Sequence, residues 1–487
     1  MASREGFVST VRSWFSSEDW WAVWLGLAIA ALALPATVGV DVLGWAAKAS
    51  VWLELPKAVG PASKGYAFLP GWVSLGLTFL AVLALVAIGA RVMGFRMGRF
   101  LAGFTVIFWT SFGCWLVGHY AYIAQTPDKR QAMGIGWSLG LTGEAGFIVA
   151  LLAGLAIGNL APKFASWLKE ASRPEWFIKT GIVILGASLG VKAIAASGLV
   201  SAIMFRGFAA IVEAYLIYWA LVYFISRRFF GFSREWAAPL ASGISICGVS
   251  AAIATGAAIR ARPVVPIMVS SLVVIFSVVE LLLLPFAAQA FLSHEPMVAA
   301  AWMGLAVKTD GAAVASGAVT DALVRAAAGA RGVAWQPGWM LMTTTTVKVF
   351  IDVFIGIWAF ILALIWVYAI DKKPGERVRA TEIWERFPKF VIGYFLLFVG
   401  VLACGLAWPG TREGLVAATG TADVFRGIFF VMTFFAIGLA SNFRRLWAEG
   451  IGRLAMVYVV SLFGFIIWIG LAISWLFFHG VRPPLVQ

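Results

Sequence analysis

Apolar runs long enough to cross a bilayer recur along the whole chain. They lie at about 20–40, 71–90, 100–123, 139–160, 177–198, 203–226, 236–259, 264–290, 298–320, 339–370, 387–408, 420–441 and 454–478. Each reaches the ~20 residues an α-helix needs to span hydrocarbon. The chain is 62% hydrophobic and only 12% charged, with a mean hydropathy of +0.92, which no water-soluble domain can hide. Strands of a membrane barrel would alternate in polarity, and these runs do not. The expectation is an all-α polytopic membrane protein with about thirteen transmembrane helices.

The net charge of +14 would suggest nucleic acid in a soluble chain. Here the cations gather in short connections: RVMGFRMGR, PKFASWLKEASRPEWFIK, RRFFGFSRE, DKKPGERVRATEIWERFPK and NFRRLWAEG. With the N-terminus in the cytoplasm, alternating spans place all five inside, as the positive-inside rule requires. The expected partner is the lipid bilayer and not nucleic acid. The expected location is a cell membrane of the bacterial inner-membrane type, with HGVRPPLVQ outside. Residues 1–18 carry Arg4, Arg12 and Trp14 and no signal-peptide core, so a short interfacial segment is expected. Residues 1–138 form an expected accessory unit with three transmembrane helices. Residues 139–487 form the core, with one repeat at about 139–290 and a second at about 298–478.

Cys114, Cys247 and Cys404 lie in apolar segments, and His119, His294 and His479 are scattered. Neither set has disulfide or metal-ligand spacing. There is no G-x-S-x-G elbow, H-E-x-x-H or phosphate-cradling loop. An enzyme is not expected, nor a cofactor, a metal or self-contained ATP-driven transport.

The stretch 241–263, ASGISICGVSAAIATGAAIRARP, departs from the apolar background. Its Gly243, Ser245, Cys247, Gly248 and Ser250 give no bulky packing face. Small residues let backbones approach, and hydroxyls replace backbone hydrogen bonds where a helix opens. Opened helices build the binding sites of many secondary transporters; a tight helix crossing without a ligand is the alternative. Arg260 and Arg262 close the stretch on the side otherwise poor in cations. The helix there is broken or re-entrant, or the arginines serve an anion, or they reach to headgroups.

Ionisable residues within membrane spans are functional candidates because burying their charge is costly. Here they are Glu144, Lys192, Arg206, Glu213, Glu280, Lys308, Asp310, Lys348 and Asp352. Lys308, Thr309 and Asp310 sit in a second small-residue stretch, GLAVKTDGAAVASG. Lys348 and Asp352 are one helical turn apart, follow the run Thr343–Thr346, and can pair as a purely structural couple. Internal likeness links 181–198 with 434–450, in spans of opposite direction. It also links 242–261 with 304–323, in spans that alternation runs the same way.

These residues carry a resemblance. GLAIGNLAP (154–162), GIVILGASLGVKAIAASG (181–198), SGISICGVSAAIA (242–254), WMGLAVKTDGAAVASG (302–317) and VKVFIDV (347–353) resemble the YeiH family of proposed sulfate exporters, within the bile-acid, arsenite and riboflavin transporter grouping. The likeness covers about 139–478. It implies inverted repeats, a scaffold part and a core part, and discontinuous helices crossing at the midplane. The departures are Lys308 for the family's histidine, Thr309 for its acid, Ala312 for its glutamine and Ile351 for its arginine.

The expected function is secondary active transport of a small inorganic or organic anion by alternating access. Ser245, Cys247, Gly248, Ser250, Lys308, Thr309, Asp310 and Lys348 are the expected substrate-binding residues. Asp310, Asp352 and Glu213 are the expected carriers of a coupling proton or sodium ion. A cation/proton antiporter of the same architecture and a non-transporting subunit or receptor are the alternatives. A homodimer is an open expectation.

Overall fold

The computed structural model describes residues 14–15, 17–125, 130–139, 143, 145–370, 384, 387–442 and 452–486. In lipid every backbone N–H and C=O must be satisfied within its own segment, and the apolar runs accordingly fold as helices. In chain order these are α1 (Glu18–Ala33), α2 (Gly71–Val92), α3 (Met97–Gly118), α4 (Ala145–Leu160), α5 (Pro162–Leu168), α6 (Pro174–Ala195), α7 (Ser197–Arg228) and α8 (Arg234–Ser245). They continue as α9 (Gly248–Ala258), α10 (Val264–Leu292), α11 (Pro296–Ala306), α12 (Asp310–Gly329), α13 (Trp339–Ile370), α14 (Phe390–Ala407), α15 (Pro409–Ala440) and α16 (Gly452–Phe478). Among the described residues ten helices are long and apolar enough to cross a membrane, or eleven if α4 and α5, bent by 116° at Pro162, count as one span.

The chain packs as two units. Met1–Val200 and Lys389–Ala440 form the first; Ser201–Pro388 and Ser441–Gln487 form the second. This division by packing differs from the division at 138/139 read from the sequence, because the first three helices pack with later ones.

In the first unit, Ser17 caps α1 by accepting from the Trp20 N–H, and Asp19 follows in the first turn. Asp19 accepts from the Lys179 ammonium of α6 at 2.8 Å and from the Lys389 N–H before α14 at 3.1 Å. One carboxylate thus ties three helices. Helices α4 and α15 touch backbone to backbone. A Cβ on Gly438 would lie 2.2 Å from Leu151 O, and one on Gly154 would lie 2.2 Å from Phe435 O. Close small-residue contact of this kind replaces the hydrophobic drive that lipid removes. Gly438→Ala is therefore expected to destabilise by about 1–3 kcal/mol through overpacking. An unchanged melting temperature of the purified variant would contradict that contact. The connection 41–69 holds a small ribbon: β1 (Ala47–Ala49) pairs antiparallel with β2 (Val59–Pro61).

In the second unit two of the expected spans turn back on themselves. Thr255 of α9 donates to the Ser242 hydroxyl of α8 at 2.7 Å. A straight helix would separate those residues by about 20 Å. At the open end, the backbone N and side-chain Nε of Arg262 donate to the Glu235 carboxylate at 2.8 and 3.0 Å. The Arg262 side chain, then its backbone N–H, holds the Glu235 carboxyl below the usual carboxylate range. Segment 236–259 is therefore a helical hairpin with its tip at Ile246–Cys247, not a span crossing from side to side.

Segment 298–320 behaves alike. Thr344 of α13 donates to Ala300 O at 2.7 Å, and a Cβ on Gly317 would lie 2.6 Å from Thr344 Cβ. A straight helix would hold Ala300 and Gly317 about 25 Å apart. Arg331 closes this hairpin by donating to Ser293 O at 2.8 Å. Its tip is Val307–Thr309. The two hairpins open at opposite ends of α10, the first beside its N-terminus and the second beside its C-terminus.

Two expectations change. The discontinuous elements are hairpins rather than crossing helices, and they do not add to the count of spans. Arg260 and Arg262 also fall at the same end as Glu235 and the basic connection before it, so they no longer break the charge pattern. Run length alone could not separate a crossing from a hairpin, since each pair of halves has the same total length either way.

Candidate functional site

The small-residue stretches form the two tips, and the tips meet. Ile246 and Cys247 leave helical geometry, Cys247 being extended at φ −146° and ψ 110°. The Gly248 N–H donates to Lys308 O at 2.7 Å, and the Cys247 thiol donates to Asp310 Oδ1 at 2.7 Å. A Cβ on Gly248 would lie 2.5 Å from Val273 Cγ1 and 2.9 Å from Thr309 Cγ2, so only glycine lets the tips close.

Two lysines sit at this junction. Lys348 of α13 is 1% exposed. Its Nζ donates to Ile246 O at 2.6 Å and to Lys308 O at 3.4 Å, and lies 3.8 Å from Asp310 Oδ1. Asp352 follows one turn later on α13. Its carboxylate groups with Cys247 Sγ and the Asp310 carboxylate, with ligand atoms all within 4.8 Å of one another, a grouping that can receive a cation.

The Lys308 backbone N–H donates to Glu280 Oε2 at 3.0 Å, and the Tyr458 hydroxyl of α16 donates to Glu280 Oε1 at 2.5 Å. The Lys308 ammonium donates to Leu305 O and stands 4.5 Å above the Tyr218 ring. Glu213 opens a π-helical turn, Glu213–Tyr218, within α7. Such turns recur at functional sites, because they displace the backbone ladder. Glu213 is fully buried, its oxygens accept no well-formed hydrogen bond, and Tyr218 and Lys308 are its polar neighbours. A second π turn, Leu462–Ile466, leads to the Ile466 and Ile467 carbonyls that accept from Tyr218 and Trp302 at 3.0 and 2.9 Å.

The structure thus brings together Cys247, Gly248, Lys308, Asp310, Lys348 and Asp352, with Glu213 beside Lys308. Thr309 stands at the tip, but its hydroxyl caps α12 by accepting from the Ala312 N–H at 3.2 Å. Ser245 is buried at the inner end of α8 with no hydrogen bond on its hydroxyl. Ser250 is half-buried on the first turn of α9. The hydroxyls of Thr343, Thr344 and Thr345 all donate to helix carbonyls. Arg262 is engaged by Glu235 at the open end of the hairpin, past the end of α9 that is remote from the tip. Lys192 and Arg206 are half-buried, and Glu144 lies outside the described residues. The sequence reading did not find Tyr218 or Tyr458. Tyr458 lies 178 residues from its partner Glu280, and no spacing signals such a pair.

Residues 141–457 match the family model described as Conserved hypothetical protein 698. A UPF0324 membrane protein of Nitrosomonas europaea is 41% identical over 483 residues, covering 97% of this chain and 99% of its own. The chain belongs to the UPF0324 membrane protein family. A UPF0324 membrane protein of Rhodopirellula baltica is 30% identical over 402 residues, covering 80% of this chain and 65% of its own. An Archaeoglobus fulgidus protein described as uncharacterized is 50% identical over 174 residues, covering 30% of this chain and 93% of its own. No solved structure matches the chain. The matched family region contains both hairpins and every buried ionisable residue at their tips; Tyr458 lies one residue past its end.

Proposed function

We propose that this UPF0324 protein is a secondary active transporter of a small anion, of the sulfate-like oxyanion, sulfonate or carboxylate class. It works by alternating access, with protons or sodium as the coupling ion. The observation that carries this reading is the junction of two opposed hairpin tips around buried lysines, 2.7 Å apart at Gly248 and Lys308. Two half-helices, α9 and α12, start at these tips, and helix N-termini favour anionic groups. Each hairpin is followed by a full span, α10 or α13, and the hairpins open at opposite ends. That supports an inverted pair and gives the likeness between 242–261 and 304–323 a place in it. The resemblance to sulfate exporters supports the anion class. The charge pattern supports a cytoplasmic N-terminus in a cell membrane.

Charge balance supports the coupling. Glu213, Glu280, Asp310 and Asp352 are buried against Lys308 and Lys348. If all six were ionised, the four negative and two positive charges would leave a net charge of −2. Unpaired buried charge costs several kcal/mol per ion. An anion therefore enters only as carboxylates take up protons or another cation. The buried Glu213 carboxyl accepts no well-formed hydrogen bond, which supports it as the proton carrier. In Glu213→Gln, uptake is expected to lose its dependence on an imposed pH gradient while the melting temperature changes little. Uptake still driven by that gradient would remove Glu213 from coupling. The proposal itself is tested by thermal unfolding across an anion panel, since a ligand that binds only the folded protein raises its stability. No stabilising anion in the panel would count against it.

The acid excess also favours a second reading, a cation/proton antiporter of the same architecture. An imposed sodium gradient would then move protons with no transported anion present.

A further inference from the structure

We infer that the Lys348 ammonium is a built-in cation standing where a coupling sodium ion would bind between the hairpin tips, so that this protein works without sodium. The inference rests on the transporter reading above and leaves protons as its coupling ion.

In transporters with opened helices, sodium is held by unwound backbone carbonyls and by the C-terminal ends of half-helices. Hard cations take such oxygens together with carboxylates. Here Ile246 O is the C-terminal end of α8, Lys308 O belongs to the unwound link between α11 and α12, and Asp310 supplies the carboxylate. Lys348 Nζ meets all three, at 2.6, 3.4 and 3.8 Å. Both tips contribute, so the ammonium bridges the two hairpins as a bound ion would. It is not a surface lysine that has folded inward, since the residue is 1% exposed on the inner face of α13. The charge therefore arrives with the helix and not from solution. An ion entering the Cys247, Asp310 and Asp352 grouping would face this ammonium directly, and like charges in a low-dielectric site repel strongly.

Removing the side chain leaves two carbonyls and two carboxylates of a cation site without their cation. Lys348→Ala should bind sodium where the unaltered protein does not. Lys348→Arg keeps the charge and should stay indifferent to sodium.

The test is thermal unfolding of the purified full chain in NaCl against choline chloride at equal ionic strength. The expected result is no sodium-specific shift for the unaltered protein or for Lys348→Arg. A sodium-specific rise of about 2–4 °C or more is expected for Lys348→Ala. Sodium-specific stabilisation of the unaltered protein would overturn the inference, and that arm needs no variant to fold. A folded Lys348→Ala that gains nothing from sodium would overturn it equally. Failure of the transporter reading looks different: no anion uptake under any gradient, with the sodium pattern of the three proteins intact.

Discussion

Lys308→Ala is expected to lower anion uptake into proteoliposomes by about 100-fold or more. The lysine stands beside Glu213 and its backbone binds Glu280, with its ammonium buried over Tyr218. Removing one partner of a buried charge set costs about 3–5 kcal/mol, because the remaining charges keep their desolvation penalty. About 3 kcal/mol charged to the loaded state corresponds to about 100-fold in rate or affinity. Part of the cost will fall on folding, so uptake must be normalised to monodisperse protein. Lys308→Arg, which keeps the charge, separates the two effects: it should retain more uptake than Lys308→Ala at similar stability. Full uptake by folded Lys308→Ala would take this lysine out of the transport site.

The largest expected effect on stability belongs to Glu280. Its two carboxylate oxygens accept from the Lys308 N–H and the Tyr458 hydroxyl, both fully buried. In Glu280→Ala both donors lose their acceptor and Lys308 loses a counter-charge. The expected cost is about 3–5 kcal/mol, close to that of breaking a buried ion pair. Tyr458→Phe removes one hydrogen bond to a charged group and should cost about 1.5–3 kcal/mol. The two substitutions remove the two ends of one hydrogen bond, so their costs should not add in the double variant. Simple additivity of the three unfolding free energies would mean that Glu280 and Tyr458 do not act together.

Much of this fold was legible in the sequence, because lipid imposes one rule on every span. Run length and low charge gave helices such as Gly71–Val92 and Val264–Leu292 nearly to the residue. The breaks were legible too, since Gly243–Ser250 and Gly304–Gly317 lack the side chains an isolated helix in lipid would carry. The direction taken after each break was not. Whether α9 continues α8 or returns beside it depends on contacts such as Thr255 with Ser242, which no local pattern encodes. The misplaced Arg260 and Arg262 were the one trace of the hairpin in the charge pattern. At the site, Lys308, Asp310, Lys348 and Asp352 announced themselves as charges in apolar surroundings. Tyr218 and Tyr458 did not, because an aromatic residue in a span is ordinary and its hydroxyl partner lies far along the chain.

On the proposed function, the meeting hairpin tips carry a small anion together with protons. Proton movement across sealed proteoliposomes, followed with a trapped pH-sensitive dye after a sulfate gradient is imposed in sodium-free buffer, tests it most directly. The expected result is proton flux that needs the anion and disappears in Lys308→Ala. Protons that stay still under every anion gradient yet move when sodium alone is added would contradict it.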